Sequence, residues 1–446
     1  LTPLGMNLIG IFLGVLYGWI FIEIVWPSLL GLLALMLIGG MKPAELLNKS
    51  FGDPIVQMMF FIFVFCATIN YSKFISLWFI SRRFVKGRPW LFTFVFMGSI
   101  FILGGLTSAS PAAIIGWSIL YGVCEVCGYR KGEGYPTMMV FGIVFAAQMG
   151  MSLIPFKQAA LTVFSAYETM SGVGIDYAKY MLVALIICAV CSGVFILIGK
   201  YIFRPDMSKL LDLEAEKLDT EGALNLNAVQ KAVLVFLFLL VLLLLAPNFL
   251  PANFFVTRFL RSIGNTGIVI LLVTVMAAIK VNGKPLLNFK VMVDSGVTWG
   301  IVLLLAFVQP LTGAMAAPES GVTAFLMQAL KPIFGGGSSI TFAVVIGLVA
   351  TLLTQVMNNG AVGVALMPVV YSYCQAAGAN PALALIMVVM GVHLAFLTPA
   401  ASASAALLHG NEWSDARAIW HTAPLVIAVS WVIIAIVTLT VGAVLF

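Results

Sequence analysis

Apolar residues run through this chain in long unbroken blocks, with none of the period-2 alternation that marks the strands of a membrane β-barrel. Leu4 to Phe21, Met181 to Gly199 and Trp420 to Phe446 approach or exceed the roughly 20 residues that a helix needs to cross a bilayer. The pattern predicts membrane segments at 4–21, 25–40, 54–71, 90–127, 135–170, 178–202, 232–247, 264–280, 298–315, 338–375, 381–410 and 420–446. Several are too long or too interrupted to be simple spans. The 90–127 block carries Gly104, Gly105, Thr107, Ser108, Ser110 and Pro111 at its centre, a combination that breaks a helix and leaves backbone groups in need of partners. It reads as two half-helices meeting at a polar tip. The 338–375 block repeats the feature around Asn358, Asn359 and Gly360.

Charge orients these blocks. Arg82, Arg83, Lys86 and Arg88 precede the first interrupted block and Arg130 and Lys131 follow it, so both its ends belong on the cytoplasmic side. A block that enters and leaves through one face is a re-entrant hairpin, which survives at depth only where protein buries it or a wet cavity meets it. The one long polar stretch, Arg204 to Lys231, holds six of the 17 acidic residues and reads as a solvated cytoplasmic linker between two halves. Threading onward from it places the second interrupted block with both ends outside, at the cost of leaving Arg258 and Arg261 outside as well. Each half then shows a span, a polar or basic piece (72–88 in the first, around Glu319 to Lys331 in the second), a hairpin, a helix broken at a proline (Pro155, Pro399) and a last span.

The expected fold is therefore an all-α polytopic membrane protein with two inverted-topology repeats, each holding a re-entrant helical hairpin and a broken transmembrane helix. Residues 1–53 are N-terminal scaffold helices. Residues 54–202 form the first repeat, with a cytoplasmic-side hairpin at 90–127 and a broken helix at 135–170. A cytoplasmic linker (203–231) and further scaffold helices (232–297) lead to the second repeat at 298–446, with an outer-side hairpin at 338–375 and a broken helix at 381–410. The expected location is the cell (inner) membrane. The sequence opens on Leu1 rather than Met, which leaves room for a short missing N-terminal piece, with or without another helix. Leu4 to Phe21 is too long and too poorly flanked for a cleaved signal peptide.

Composition agrees with a lipid setting: 62% of residues are hydrophobic, 9% are charged, and the mean hydropathy is +1.11. The net charge of +6 sits mostly in short segments between apolar blocks, where positive-inside topology accounts for it and nucleic acid is not expected as a partner. Cys124/Cys127 and Cys188/Cys191 form CxxC pairs, but inside or at the end of apolar helices they read as buried small residues, not as a metal site.

Transporters with this plan place substrate between the repeats, where half-helix N-termini turn free N–H groups and positive dipole ends toward anions. Four breaks converge on paper: Thr107 to Pro111, Ser152 to Gln158, Met357 to Ala361 and Thr398 to Ser404. Lys157, just past Pro155 in an apolar stretch from Met138 to Phe164, is the most informative residue, because a lysine at mid-membrane costs about 2.5–3.5 kcal/mol on insertion scales. Its ammonium either binds the substrate's anionic group or stands in for a coupling cation; the plain alternative is a side chain snorkelling to a nearby surface. Thr107, Ser108 and Ser110 at the first tip, Asn358 and Asn359 at the second, and Ser402 and Ser404 after the second break are candidate substrate ligands. Neutral donors suit a carrier, which must release what it binds. For the hydroxyls, helix packing and backbone capping are the ordinary alternative. Gln148, Gln309, Gln355 and His393 are further polar residues at depth; His393 could carry a proton, though hydrogen bonding between helices explains it as simply. Glu319 is expected at the solvated outer end of a span.

Two stretches carry a resemblance. Val356 to Pro368, with Asn358-Asn359-Gly360 at its start, resembles the second Ser-Asn-Thr tip of the divalent anion/sodium symporter family, part of the ion transporter superfamily that also holds arsenite and citrate carriers. Leu397 to Gly410, with Thr398-Pro399, is similar to that family's broken helix ending in Thr-Pro-Pro-Asn. Departures accompany the matches. The first tip reads Thr107-Ser108-Ala109, and the helix breaks read Gln158-Ala159-Ala160-Leu161 and Ser402-Ala403-Ser404-Ala405. The resemblance implies sodium as a coupling ion near Asn359, Gly360 and Ala401, no other cofactor, and a homodimer in the bilayer. It also places Lys157 beside the first cation region, where a small residue usually stands.

The expected function is secondary active transport of a small anion, a di- or monocarboxylate or an oxyanion, by alternating access, with Lys157 replacing one coupling cation or contacting the substrate. The alternatives are a cation/proton antiporter of the same superfamily, which normally needs acidic residues at depth, a channel, and an intramembrane enzyme. The sequence holds no HExxH, and His393, His409 and His421 lack acidic partners suited to a metal.

Overall fold

Proline and acidic caps set where the helices begin. In the computed structural model Pro54 opens the helix Pro54–Ala67 behind the cap Asp53, whose carboxylate accepts from the Ile55 N–H, and Asp176 and Asp415 cap Tyr177–Ile198 and Ala416–Val437 in the same way. The structure describes residues 1–39, 41–68, 87–211, 228–251, 253–281, 283–326, 328, 338–399 and 401–446. The basic piece expected at 72–88 and the middle of the linker thus lie almost wholly outside the described residues.

Both interrupted blocks are helical hairpins. The first joins Pro89–Leu106 to Ala109–Cys127 through Thr107 and Ser108, and the second joins Ser339–Leu353 to Asn359–Ala377 through 354–358. Each hairpin is followed by a broken helix: Gly134–Leu153 and Gln158–Ser171 in the first half, Ala382–Val392 and Ala403–His409 in the second. The closing helices, Tyr177–Ile198 and Ala416–Val437, both run on into a π-helical turn. Among the described residues eight helices are long and apolar enough to cross a membrane. The departures from an all-helical chain are small: a two-stranded ladder pairs Lys280–Val281 with Lys284–Pro285, and the helix Phe255–Ala278 kinks at Gly264, whose φ of 63° suits only glycine without strain. Arg261 donates to the Pro247 carbonyl and so satisfies the end of the preceding helix.

Packing follows the repeat. In each half the first hairpin arm lies on the first piece of the broken helix, and in each half the second arm meets the broken helix of the other half: Ala109–Cys127 against Ala403–His409, Asn359–Ala377 against Gln158–Ser171. The closing helices pack on one another. Both halves thus repeat one order of elements: an opening helix, a hairpin, a broken helix and a closing helix.

Glycine makes the arm-to-broken-helix contact close. A Cβ on Gly104 would lie 2.3 Å from the Ala147 carbonyl oxygen and one on Gly150 would lie 1.8 Å from that of Phe101. The second half uses the same seam, where a Cβ on Gly347 would meet Met387 Cβ at 2.7 Å and one on Gly391 the Thr351 hydroxyl at 2.6 Å. Lipid offers no hydrophobic force between helices, so such close approach and the dispersion it brings carry the association. Gly134–Leu153, with 94% of its apolar window buried, is the centre of the protein. Cys124, Cys188 and Cys191 are buried packing residues, with Cys188 Sγ 3.3 Å from the Met149 carbonyl.

The start of the linker, the turn after the first hairpin and the turn after the second broken helix are tied together. Lys209 pairs with Glu133 at 2.8 Å, Lys131 with Glu412, the Gly132 N–H donates to the Trp413 carbonyl, and Tyr121 stacks on Trp413. Glu319 is exposed just past the end of Trp299–Ala316. The seam yields a test: Gly150→Val and Gly391→Val should each destabilise the protein by about 1–3 kcal/mol through overpacking. Gly122→Val, where a Cβ meets nothing within 4 Å, should leave the melting temperature in detergent unchanged.

Candidate functional site

A helix that stops inside the membrane exposes carbonyls at its C-terminal end and N–H groups at its N-terminal end. The four breaks bring such ends together around one cavity of about 430 Å³. Thr107, Ser108, Ser110, Lys157, Asn358, Asn359, Ser402 and Ser404 all line it. Gly360 lines it too, whereas Ala401 is buried behind the wall.

Lys157 is 8% exposed and precedes the helix Gln158–Ser171 as its N-terminal flanking residue. Its ammonium donates to the Thr107 carbonyl at 2.6 Å, the Leu106 carbonyl at 3.2 Å and Cys66 Sγ at 3.1 Å. An ammonium has three N–H donors, and three protein acceptors take them. The charge also sits at the C-terminal end of Pro89–Leu106, where the helix dipole favours a cation. It is therefore held at depth by the tip and does not snorkel to a surface.

The neighbouring helix start is open. Ser108 flanks Ala109–Cys127 without a side-chain cap, and Lys157 likewise gives none to Gln158–Ser171. The second half differs: Asn358 Oδ1 accepts from the Gly360 N–H and Ser402 Oγ from the Ala405 N–H, so both of its helix starts are capped by their own side chains. The Thr107 hydroxyl is spent on the Leu103 carbonyl.

The acceptors at the second tip are held by neutral donors. The Thr398 hydroxyl donates to the Gln355 carbonyl, the Gln355 amide to the Thr351 and Leu394 carbonyls, and the Thr354 hydroxyl bonds Asn359 Oδ1 and the Val392 carbonyl. Asn359 Oδ1 and the Gln355 carbonyl each accept one hydrogen bond here and keep a second lone pair facing other partners.

Gln148 completes the wall from the first half. It is 1% exposed, and its Nε2 lies 3.0 Å from Ser404 Oγ and 3.4 Å from Ser402 Oγ. Ser402 gives its own proton to the Ala395 carbonyl at 2.9 Å, so the amide must be the donor toward it. Thr162 also lines the cavity, with its hydroxyl 3.7 Å from where a Cβ on Gly360 would stand. Further wall comes from the helices that open the two halves and the turn before the second, through Met59, Phe63, Cys66, Ser295, Thr298 and Ile301. None of these residues carried a signal in the sequence, because nothing in a simple apolar span marks the face that meets a distant tip. Gln148 did carry one, as an amide in an apolar run. His393 is fully buried and its Nδ1 bonds the Val389 carbonyl of its own helix at 2.7 Å, away from the cavity wall. Gln309 accepts from Thr169 at 2.7 Å and also lies elsewhere.

The chain is similar to known proteins. The chain is 24% identical over 428 residues to the sodium-dependent dicarboxylate transporter SdcS of Staphylococcus saprophyticus, which covers 92% of this chain and 81% of that protein. A 114-residue stretch, 26% of this chain and 18% of the other, is 27% identical to the uncharacterized transporter sll0640 of Synechocystis. The crystal structure of the YdaH transporter from Alcanivorax borkumensis superposes with a TM-score of 0.62 over 92% of this chain and 89% of that one, at 13% identity, which shows a shared fold. The model of the citrate transporter family matches residues 12–392, most of the chain, and the chain belongs to that family of membrane transporters.

Proposed function

We propose that the protein is a secondary active transporter of small carboxylate anions that works by alternating access, with the cavity between the two tips as its substrate site. The single observation that supports this most is convergence: eight residues from four separate breaks line one cavity of about 430 Å³, large enough for a small organic acid. An anion fits at the uncapped start of Ala109–Cys127, beside the Ser108 and Ser110 hydroxyls and the Lys157 charge. Gln148, Ser402, Ser404 and Asn358 offer neutral hydrogen bonds to the rest of the molecule, and Met59, Phe63 and Ile301 an apolar wall.

Lys157 serves as a built-in cation and not as a direct ligand, since its three N–H groups are already spent on the first tip and Cys66. Where sodium-dependent relatives bring a coupling ion, this chain supplies a fixed one at its first tip. The cation/proton antiporter reading lacks support, because no Asp or Glu lines the cavity among the described residues. One bundle holding both hairpins and both broken helices moves against the scaffold, carrying the site between faces. The break itself meets that scaffold: Ile154 and Phe156 pack into the core formed by Pro54–Ala67 and Phe255–Ala278.

Two variants test the site in proteoliposomes loaded with a carboxylate panel. Lys157→Ala removes charge-assisted hydrogen bonds and should lower uptake by about tenfold to a hundredfold; unchanged uptake would remove Lys157 from the mechanism. Gln148→Ala should raise KM by about two- to tenfold, the worth of a neutral hydrogen bond, with the maximal rate little altered. Gly122→Ala serves as the control in both.

A further inference from the structure

Lys157 divides its hydrogen bonds unequally. Two of them, to the Leu106 and Thr107 carbonyls, join the first broken helix to the first hairpin, and the third, to Cys66 Sγ at 3.1 Å, reaches the helix Pro54–Ala67. Under the transport reading above, hairpins and broken helices move together against that helix. Only the third bond then crosses the sliding boundary, and it must break in every cycle. Sulfur suits that position, because it is a weak acceptor and lets go easily. An oxygen in its place would hold the ammonium far more firmly.

The same thiol is placed to react. Cys66 is partly exposed and lines the cavity of about 430 Å³, whereas Cys124, Cys188, Cys191 and Cys374 are buried. Reactive cysteines sit in electropositive, partly exposed surroundings, and buried structural ones are inert. Lys157 supplies a positive charge in contact with the sulfur, and among the described residues no carboxylate lines the cavity to offset it. Cys127 is partly exposed too, at the end of Ala109–Cys127, but no cationic group bonds its sulfur among the described residues. Exposure and charge therefore coincide at Cys66.

Resting on the transport reading, we propose that Cys66 and Lys157 form a peroxide-sensitive latch: hydrogen peroxide oxidises Cys66 to the sulfenic acid, whose oxygen takes the Lys157 N–H and pins the moving bundle to Pro54–Ala67. In that step the sulfur attacks one peroxide oxygen, the S–O bond forms as the O–O bond breaks, and the departing oxygen takes the thiol proton and leaves as water. Sulfur gives up two electrons and the peroxide accepts them. A dithiol reverses the change: one of its thiols displaces the sulfenic oxygen as water to form a mixed disulfide, and the other releases Cys66. The reduced pair lets the bundle slide, and the oxidised pair holds it.

The first arm of the test needs no transport. The purified full chain in detergent is treated with hydrogen peroxide and a cyclic dione that traps sulfenic acids, and each cysteine is followed by mass spectrometry. Cys66 should label about tenfold or more faster than Cys127. Lys157→Arg should keep that rate, and Lys157→Gln should lower it to the Cys127 level. Labelling of Cys66 no faster than Cys127 in the unaltered chain overturns the proposal, whether or not the variants fold. In proteoliposomes the same peroxide treatment should lower uptake of whichever acid of the carboxylate panel moves by about tenfold or more, the worth of a charge-assisted hydrogen bond, and dithiothreitol should restore it. Whatever uptake Cys66→Ala retains should be indifferent to peroxide. Uptake that falls equally in Cys66→Ala, or that survives full labelling of Cys66, overturns the latch and leaves the transport reading standing. If no acid moves before oxidation, the transport reading fails and the latch falls with it.

Discussion

A helix that ends within a bilayer strands its last carbonyls or first N–H groups where no water reaches them, and each group left unpaired costs several kcal/mol. This chain ends helices at depth in both hairpins and in both broken helices, so the protein is organised around finding partners for those ends. The first half uses a charge: the Lys157 ammonium closes the carbonyl end of Pro89–Leu106 and leaves the adjoining N–H end open. The second half uses neutral groups throughout, with Gln355 and Thr398 closing the carbonyl end and Asn358 and Ser402 the N–H ends. Two repeats with the same layout thus solve one problem with different chemistry. The asymmetry between them gives the cavity a direction.

The architecture was legible in the sequence because lipid enforces it. Long apolar blocks with polar interruptions leave few alternatives once the backbone must satisfy itself, and the charge flanks separate hairpins from spans. The interrupted block at 90–127 became Pro89–Leu106 and Ala109–Cys127 with its break at Thr107 and Ser108, where Gly, Thr, Ser and Pro had clustered. Gly264 and the short ladder at 280–285 were less visible, since a kink in a helix and a tight turn depend on a few dihedral angles and not on a hydrophobic period.

Candidate site residues were legible for the same reason: polar side chains in apolar sequence stand out, and all eight named from the breaks face one cavity. Their partners did not stand out. Cys66 touches Lys157 from a span of ordinary apolar composition, and which oxygens of the second tip are already engaged depends on rotamers of Gln355 and Thr398 that no spacing rule reports. Sequence could say that Lys157 needed a partner. It could not say whether that partner was a substrate or the protein's own backbone.

The paired glycine seams bear on how the protein is made. Gly104 and Gly150 join elements of the first half, and Gly347 and Gly391 join elements of the second, so each close-packed seam is local in the chain. Each seam thus needs only elements of its own half to form. The contacts that cross between halves, Gln148 with Ser404 and Lys131 with Glu412 among them, can form only once the second broken helix is in place. Because the second arm of each hairpin also packs on the broken helix of the other half, the cavity is complete only when both halves are present.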